Sequence, residues 1–204
     1  MIHIIQVKGS NGSGKTSLVL DLGKLSENWT WLQTPDGLTY ATVFDDINWV
    51  AIGKYDPNAK MGGCDLMPSV ESMKQAILDV MKHYPDYWIV FEGMMISTIK
   101  STFYEFLLDL EARGKAQALF VILKSTVDGC LERIAGRGTM KKDLKRGNIY
   151  TKCELVIRHA KEYDPAHVRW IDVETTNKES MMPCFLWEVG DDQLIDAIYN
   201  QPDL

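Results

Sequence analysis

The most constraining feature of this sequence is a glycine-rich segment that directly follows an apolar run near the start of the chain. Residues 4–8 read Ile-Ile-Gln-Val-Lys, and residues 9–16 read Gly-Ser-Asn-Gly-Ser-Gly-Lys-Thr. The apolar residues that follow, through Leu22, fall at helical spacing. A strand, a GxxxxGKT loop and a helix together are the pattern of a phosphate-binding P-loop.

The chemistry of this segment explains its residue types. Glycines let the backbone curl so that several N–H groups point at phosphate oxygens, and the helix N-terminus adds partial positive charge. Lys15 is predicted to reach the β- and γ-phosphates, and the Thr16 hydroxyl to ligate Mg²⁺. We therefore expect nucleotide binding by nine consecutive residues: Gly9, Ser10, Asn11, Gly12, Ser13, Gly14, Lys15, Thr16 and Ser17.

Length and charge narrow the class of protein. The 204 residues are predicted to form one domain, 1–204. The net charge of −6 argues against a broad basic face for nucleic acid, although a local basic groove stays open. The N-terminus lacks a signal-peptide pattern, and no apolar run is long enough to span a membrane. These features predict a cytoplasmic protein without a membrane partner.

The four cysteines are too far apart in the sequence for a CxxC pair, so neither a zinc site nor a disulfide framework is indicated. We expect reduced thiols that are buried or partly buried. They are Cys64, Cys130, Cys153 and Cys184.

Apolar runs alternate with helical patterns along the chain, which predicts an α/β fold with a parallel sheet covered by helices on both faces. Buried strands are predicted at 2–7, 88–91, 118–123 and 168–173. Pro35-Asp36-Gly37 separates two β-prone runs and predicts a hairpin. The segment after residue 173 is predicted as a loop, followed by a short helix at 192–199.

Three carboxylates end predicted strands and are candidates for catalysis. Glu92 follows the strand 88–91, where a carboxylate can hold Mg²⁺ directly or through water. Asp45 and Asp46 end an earlier strand, where we expect a base that faces an acceptor hydroxyl. Parallel strands would bring all three carboxylates to the edge of the sheet that carries the P-loop.

A basic segment follows the third buried strand. Arg133 and Arg137 lie four residues apart on one face of a helix, and Lys141, Lys142, Lys145 and Arg146 come after them. We predict a lid at about 133–150, in which Arg133 and Arg137 neutralise charge on a transferred phosphoryl group. Asn177-Lys178-Glu179-Ser180 lacks the aspartate of the NKxD motif that is typical of guanine recognition, so ATP is the favoured nucleotide.

The P-loop, the acid at Glu92 and the pair Arg133/Arg137 resemble the conserved parts of P-loop nucleotide and nucleoside kinases. The resemblance implies a five-stranded parallel sheet, ATP with Mg²⁺, and transfer of the γ-phosphoryl group to an acceptor. Kinases of nucleoside monophosphates clamp the acceptor's phosphate with arginines in the middle of the chain. Here Gly93-Met94-Met95 follows Glu92, and the first arginine is Arg113.

In place of arginines, this region contains Lys54, Lys60 and Lys100 and many aromatic or sulfur-containing side chains. Some of the latter are expected to stack on a flat acceptor. They are Trp29, Trp31, Tyr40, Phe44, Trp49, Tyr55, Met61, Met94 and Met95. We predict an acceptor-binding region at about 36–75.

The P-loop, the run Phe91-Glu92-Gly93-Met94-Met95 and the loop Gly62-Gly63-Cys64-Asp65 resemble small bacteriophage kinases that phosphorylate 5-hydroxymethyluracil within DNA. That acceptor is a neutral hydroxyl on a base, which needs no arginine clamp. The base must be flipped from a duplex or met in single-stranded DNA. Two alternatives stay open: a kinase of a free nucleotide, nucleoside or other small hydroxyl compound, and a P-loop NTP-binding module without kinase activity. The oligomeric state is not indicated.

Overall fold

The computed structural model describes residues 1–58, 62–136 and 146–200, apart from the side chain of Asn200. Within these ranges, the strands are β1 Ile2–Lys8, β2 Trp29–Gln33, β3 Thr39–Phe44, β4 Trp49–Ile52, β5 Lys54–Tyr55, β6 Gly62–Gly63, β7 Trp88–Glu92, β8 Ala116–Lys124 and β9 Val168–Asp172. The helices are α1 Lys15–Gly23, α2 Val70–His83, α3 Met94–Thr98, α4 Ser101–Ala112, α5 Val127–Gly136, α6 Arg146–Lys161, α7 Lys178–Val189 and α8 Asp192–Asn200.

The main sheet has seven strands in the order β2-β3-β4-β7-β1-β8-β9. Five of them, β4, β7, β1, β8 and β9, are parallel. The other two form the predicted hairpin, which is confirmed, and β3 pairs antiparallel with β4. The expectation of a five-stranded sheet was therefore wrong. The hairpin lies beside β4, the outermost of the parallel strands. Its strand β3 pairs with the backbone N–H and C=O groups of β4 that the parallel strands leave unpaired.

Helices cover both faces of this sheet, as the alternating sequence pattern predicted. On one face, Ile2 and Ile4 of β1 belong to a core built with α2, α3, α4 and α6. On the other face, Ile5 and Val7 pack with α1, α7 and α8. This alternation along β1 is the period-two pattern of a strand buried on both sides.

Two helical segments differ from the predictions. The apolar stripe from Ile99 to Leu110 predicts one helix from about residue 97 to 112, but this region contains α3 and α4, with Ile99 and Lys100 between them. Helix α7 was not predicted, and it contains Pro183 in its interior. The Asn177 side chain caps α7 by accepting a hydrogen bond from Ser180 N at 2.7 Å.

Strand direction decides which residues meet. The P-loop follows β1, and Glu92 ends the parallel strand β7, with Val7 and Glu92 opposite each other in the register. Strand β3 is antiparallel to β4. Its C-terminal end therefore lies at the end of the sheet where the parallel strands β4 and β7 begin, opposite the end that carries the P-loop. In the part of the chain that the structure describes, no helix is long and apolar enough to cross a membrane.

Candidate active site

The P-loop connects β1 to α1 through a backbone that only glycine adopts easily at two positions. Gly12 and Gly14 have φ values of 77° and 99°. A Cβ atom on Gly12 would also lie 2.5 Å from the Cys130 carbonyl oxygen, so the loop packs tightly on α5. The Lys15 ammonium donates to the carbonyls of Gly9 at 3.0 Å and Ser10 at 2.9 Å. The predicted strand, loop and helix are thus confirmed.

Glu92 meets the first turn of α1. The Thr16 hydroxyl donates a hydrogen bond of 2.9 Å to Glu92 Oε1. The Glu92 side chain is buried, with 2% of its residue surface exposed. The predicted proximity of the P-loop threonine and the strand-end acid is therefore confirmed.

The predicted acceptor region contributes a second set of contacts to Glu92. The Tyr55 hydroxyl donates to Glu92 Oε1 at 3.2 Å. Gly63 adopts φ +125°, and a Cβ atom there would lie 2.6 Å from the same oxygen. Both oxygens of Asp65 accept from Met94 N, at 3.0 and 3.1 Å, so Asp65 lies beside the start of α3. Asp65 was not proposed as a site residue from the sequence, although it ends the loop Gly62-Gly63-Cys64-Asp65 on which the family resemblance rests.

Burial raises the pKa of Glu92, because the ionised carboxylate loses water. The charge of Lys15 and the donors on Thr16 and Tyr55 oppose this shift, whereas the charge of Asp65 adds to it. A carboxylate whose pKa is shifted towards neutrality is a better proton acceptor than an exposed one. Glu92 can therefore serve either as a base or as an oxygen ligand for a metal.

Lys8, the last residue of β1, is fully buried and was not singled out in the sequence. Its ammonium donates to the Ile96 carbonyl at 3.1 Å, and the Gln6 amide donates to the same oxygen at 3.3 Å. Burial lowers the pKa of Lys8 to about 7. Lys8 joins the strand before the P-loop to α3, the helix that follows Glu92. No sequence pattern distinguishes this lysine from an exposed one at a strand end.

Arg133 of α5 lies between the P-loop and the segment that follows β8. Its Nε donates to the Gly12 carbonyl at 2.7 Å, its guanidinium donates to Ser125 Oγ, and it pairs with Glu174 at 3.1 Å. The guanidinium and the donors on Ser125 and Thr126 hold the pKa of Glu174 at about 2. Arg133 therefore lies next to the phosphate-binding loop. Arg137, Lys141, Lys142 and Lys145 lie outside the described residues.

Three of the four cysteines are buried and Cys184 is partly buried, all as free thiols, which confirms their predicted burial. Cys130 and Cys153 both contact the Ser10 hydroxyl, with S···O distances of 3.0 and 3.1 Å. These contacts join the P-loop to α5 and α6. Lys152 of α6 makes a further contact with the P-loop, because its Nζ donates to Asn11 Oδ1 at 2.9 Å.

The placement of Asp45 and Asp46 beside the P-loop was wrong. Because β3 is antiparallel to β4, both residues lie at the opposite edge of the sheet. Asp45 accepts from the Tyr87 hydroxyl at 3.1 Å, just before β7 begins. Asp46 accepts from Glu27 N at 2.8 Å and from Ser26 Oγ, and lines a cavity of about 470 Å³ at that edge. The structure gives neither residue access to the phosphates.

The oxygen atoms of Thr16 and Glu92 suit Mg²⁺. This ion prefers hard oxygen ligands and is usually held by one or two side chains together with substrate phosphates. A hydroxyl and a carboxylate in direct contact beside a P-loop supply that donor set. The residues present therefore fit the metal that the sequence predicted at Thr16 and Glu92.

The P-loop and the three-layer α/β fold define a P-loop nucleotide-binding protein, and solved structures share the fold. Deoxyadenosine kinase from M. mycoides with bound dCTP superposes with a TM-score of 0.51 at 12% identity, over 92% of this chain and 99% of that one. The tunicamycin resistance protein of Deinococcus radiodurans gives a TM-score of 0.55 at 13% identity, over 93% and 96% of the two chains.

The chain belongs to the 5-hmdU DNA kinase family, a family of phosphotransferases, whose model matches residues 2–167. A 5-hmdU DNA kinase of Bacillus phage SP10 is 30% identical over 81% of this chain, although the match spans 26% of that longer protein. The 5-hmdU DNA kinase 1 of Salmonella phage ViI is 28% identical over 79% of this chain and 70% of the relative. A 5-hmdU DNA kinase of Pseudomonas phage M6 is 27% identical over 86% and 94%. The predicted resemblance is confirmed.

The lowered pKa of Lys8 predicts a pH dependence of stability. Unfolded Lys8 has a pKa of 10.5 and the folded residue about 7, so the folded state binds fewer protons between these values. The free energy of unfolding should rise with pH in that interval, by at most about 1.4 kcal/mol per pH unit from this group. Lys8→Met should remove this contribution. Urea unfolding of both proteins between pH 7.5 and 9 measures the difference in slope.

The matched control is Lys124→Met. Lys124 ends the neighbouring strand β8 but is exposed and pairs with Asp172. Its replacement should leave the slope at the wild-type value. Equal slopes for wild type and Lys8→Met would show that Lys8 titrates as an exposed lysine does.

Proposed function

We propose that this protein transfers the γ-phosphoryl group of ATP to the 5-hydroxymethyl oxygen of 5-hydroxymethyluracil in DNA. The observation that carries the proposal is the contact between Thr16 and Glu92, which joins the phosphate-binding loop to the acceptor side. The family and its phage relatives favour this acceptor. We further propose that the reaction takes place in the cytoplasm of the infected cell.

The P-loop and Arg133 act on the donor. Backbone N–H groups of residues 9–17 and the Lys15 ammonium bind the ATP phosphates. Arg133 and the basic lid that follows it balance the charge that develops on the transferred group. Mg²⁺ would be held by the Thr16 hydroxyl, by the phosphates and, through a water, by the Glu92 carboxylate, and it would neutralise charge on the β- and γ-phosphates. Arg137 has the same proposed role as Arg133.

Glu92 acts on the acceptor. Its buried carboxylate takes the proton as the hydroxymethyl oxygen forms a bond to the γ-phosphorus. The bond from that phosphorus to the β–γ bridging oxygen breaks, ADP leaves, and Glu92 then returns the proton to solvent. Tyr55 and Thr16 both donate to Oε1 and so fix the orientation of the carboxylate. Asp65 supports the acceptor side through its contact with Met94 N.

The absence of an acceptor phosphate clamp agrees with a neutral hydroxyl acceptor. No arginine lies between the P-loop and Arg113 in the sequence. Arg113 itself pairs with Asp109 at the end of α4, the helix that leads into the start of β8. It therefore lies at the edge of the sheet opposite the P-loop. A kinase of free monophosphates would need cationic groups at the acceptor, which favours a neutral hydroxyl for this chain.

The acceptor is tested with γ-labelled ATP, Mg²⁺ and parallel substrates. Label should enter DNA that contains 5-hydroxymethyluracil, as an alkali-stable phosphate on the modified base. DNA of the same sequence with thymine, which lacks the hydroxyl, should stay unlabelled. A panel of free nucleosides and monophosphates completes the experiment. Label confined to the free pool would contradict the proposal and favour a nucleotide or nucleoside kinase.

The role of Glu92 is tested by Glu92→Gln. Its kcat should fall by about 10²-fold or more, because the amide cannot accept the proton. The variant should nevertheless fold. The raised pKa means that stability from the neutral form is present below pH 4.5 and is lost as pH rises through the folded pKa. At pH 7.5 the neutral glutamine should therefore be at least as stable as wild type in thermal unfolding.

Asp45→Asn is the matched control, since Asp45 is a strand-end carboxylate at the opposite edge of the sheet. Its kcat should stay at the wild-type value. A loss of activity in Asp45→Asn, with activity retained in Glu92→Gln, would reverse our assignment of the base.

A further inference from the structure

Two large apolar side chains are exposed beside the acceptor site. Leu66 has 66% of its surface exposed and Met95 has 64%. Each is followed in the chain by a buried apolar residue, Met67 and Ile96 respectively. The buried residues anchor the backbone in the core, while Leu66 and Met95 extend into solvent. Exposing apolar surface without a partner forgoes the stabilisation that burial would give.

The backbones that carry these two side chains are tied to each other. Leu66 follows Asp65 and Met95 follows Met94, and the Asp65 carboxylate accepts from Met94 N through both oxygens. The short helix α3 is also joined to β1, because the Lys8 ammonium donates to its Ile96 carbonyl. Leu66 and Met95 therefore flank a fixed hydrogen bond and do not sit on independent loops.

The same backbone leads directly to the proposed base. Glu92 is separated from α3 by Gly93 alone, and the space at Gly63, three residues before Leu66, is taken up by the Glu92 carboxylate. The positive charge of Lys54 lies close to these residues. Lys54 precedes Tyr55 in β5, and its ammonium lies 4.3 Å from the centre of the Trp31 ring. An exposed lysine on an aromatic ring suits a nucleic-acid backbone that passes the site.

We propose that Leu66 and Met95 form a wedge that enters the base stack of duplex DNA next to the 5-hydroxymethyluracil. This inference rests on the proposed function. Glu92 is nearly fully buried, so a base within a duplex cannot reach it without leaving the stack. Apolar side chains such as leucine and methionine fill the gap left by an extruded base and offset the cost of unstacking. Lys54 meets the phosphate backbone of the same DNA.

The test compares two substrates that contain the same modified base. Wild type and the double variant Leu66→Ala, Met95→Ala are assayed on a 5-hydroxymethyluracil oligonucleotide, single-stranded and annealed to its complement. The double variant should lose about tenfold or more in kcat/KM on the duplex, because the wedge acts only where a stack is opened. On the single strand the loss should be at least about threefold smaller than on the duplex, because no base stack has to be opened there. The duplex-to-single-strand ratio therefore carries the result.

A fluorescent probe gives a readout that does not depend on phosphoryl transfer. 2-Aminopurine placed beside the target base in the duplex should brighten when wild type binds and unstacks it. The double variant should give a smaller increase at equal occupancy of the DNA. The control is Trp187→Ala on α7, which removes another exposed apolar side chain, 73% exposed, and should behave as wild type.

Equal losses on duplex and single strand would overturn the wedge, since the pair would then act on the acceptor base or on the fold. Unchanged activity on both substrates would overturn it as well. So would a change in the sedimentation coefficient of the DNA-free double variant, which would assign the pair to a contact between copies of the chain. Failure of the proposed function is distinguishable, because wild type would then label neither oligonucleotide.

Discussion

The structure depends on one buried carboxylate. Glu92 ends β7 inside the protein, where an ionised group is costly unless donors surround it. Thr16 supplies a donor from α1, and Tyr55 supplies one from β5. The charge of Lys15 adds a further favourable interaction. These partners come from the nucleotide side and from the acceptor side, so satisfying Glu92 also brings the two halves of the site together.

Much of the donor side could be predicted from the sequence. The P-loop spacing is specific because phosphate binding needs glycines, a lysine and a hydroxyl in fixed order. The alternation of apolar runs and helical patterns gave the α/β class. Glu92 was found because it directly follows a buried strand. These features are local, so they can be read from a few neighbouring residues.

The features that were missed depend on tertiary structure. Asp45 follows a strand just as Glu92 does, but β3 runs antiparallel, and residue order does not show strand direction. The same hairpin made the sheet seven strands wide instead of five. The roles of Asp65 and Lys8 follow from their hydrogen bonds to the backbone of α3. Tertiary contacts of this kind cannot be read from the spacing of residues in the sequence. Helix α7, which Asn177 caps and which contains Pro183, was also not predicted.

The proposed donor and acceptor sides of the site differ in the charge of the groups that form them. The groups proposed to bind the phosphates are the backbone N–H groups of the P-loop, Lys15 and Arg133. In the predicted acceptor region, Tyr55 and Gly63 contact Glu92 and Asp65 binds Met94 N, and none of the three contributes positive charge. This asymmetry suits an anionic donor and a neutral hydroxyl acceptor. It also agrees with a family whose curated relatives are named 5-hmdU DNA kinases.

The central claim, that Glu92 is the base and is tuned by its neighbours, is tested most directly by the pH dependence of kcat/KM. The acid limb of this profile reports the pKa of the base in the free enzyme. Tyr55→Phe removes a donor to the ionised carboxylate and should move the acid limb to higher pH. Asp65→Asn removes a neighbouring negative charge and should move it to lower pH. An acid limb at the same pH in wild type and both variants would contradict the account.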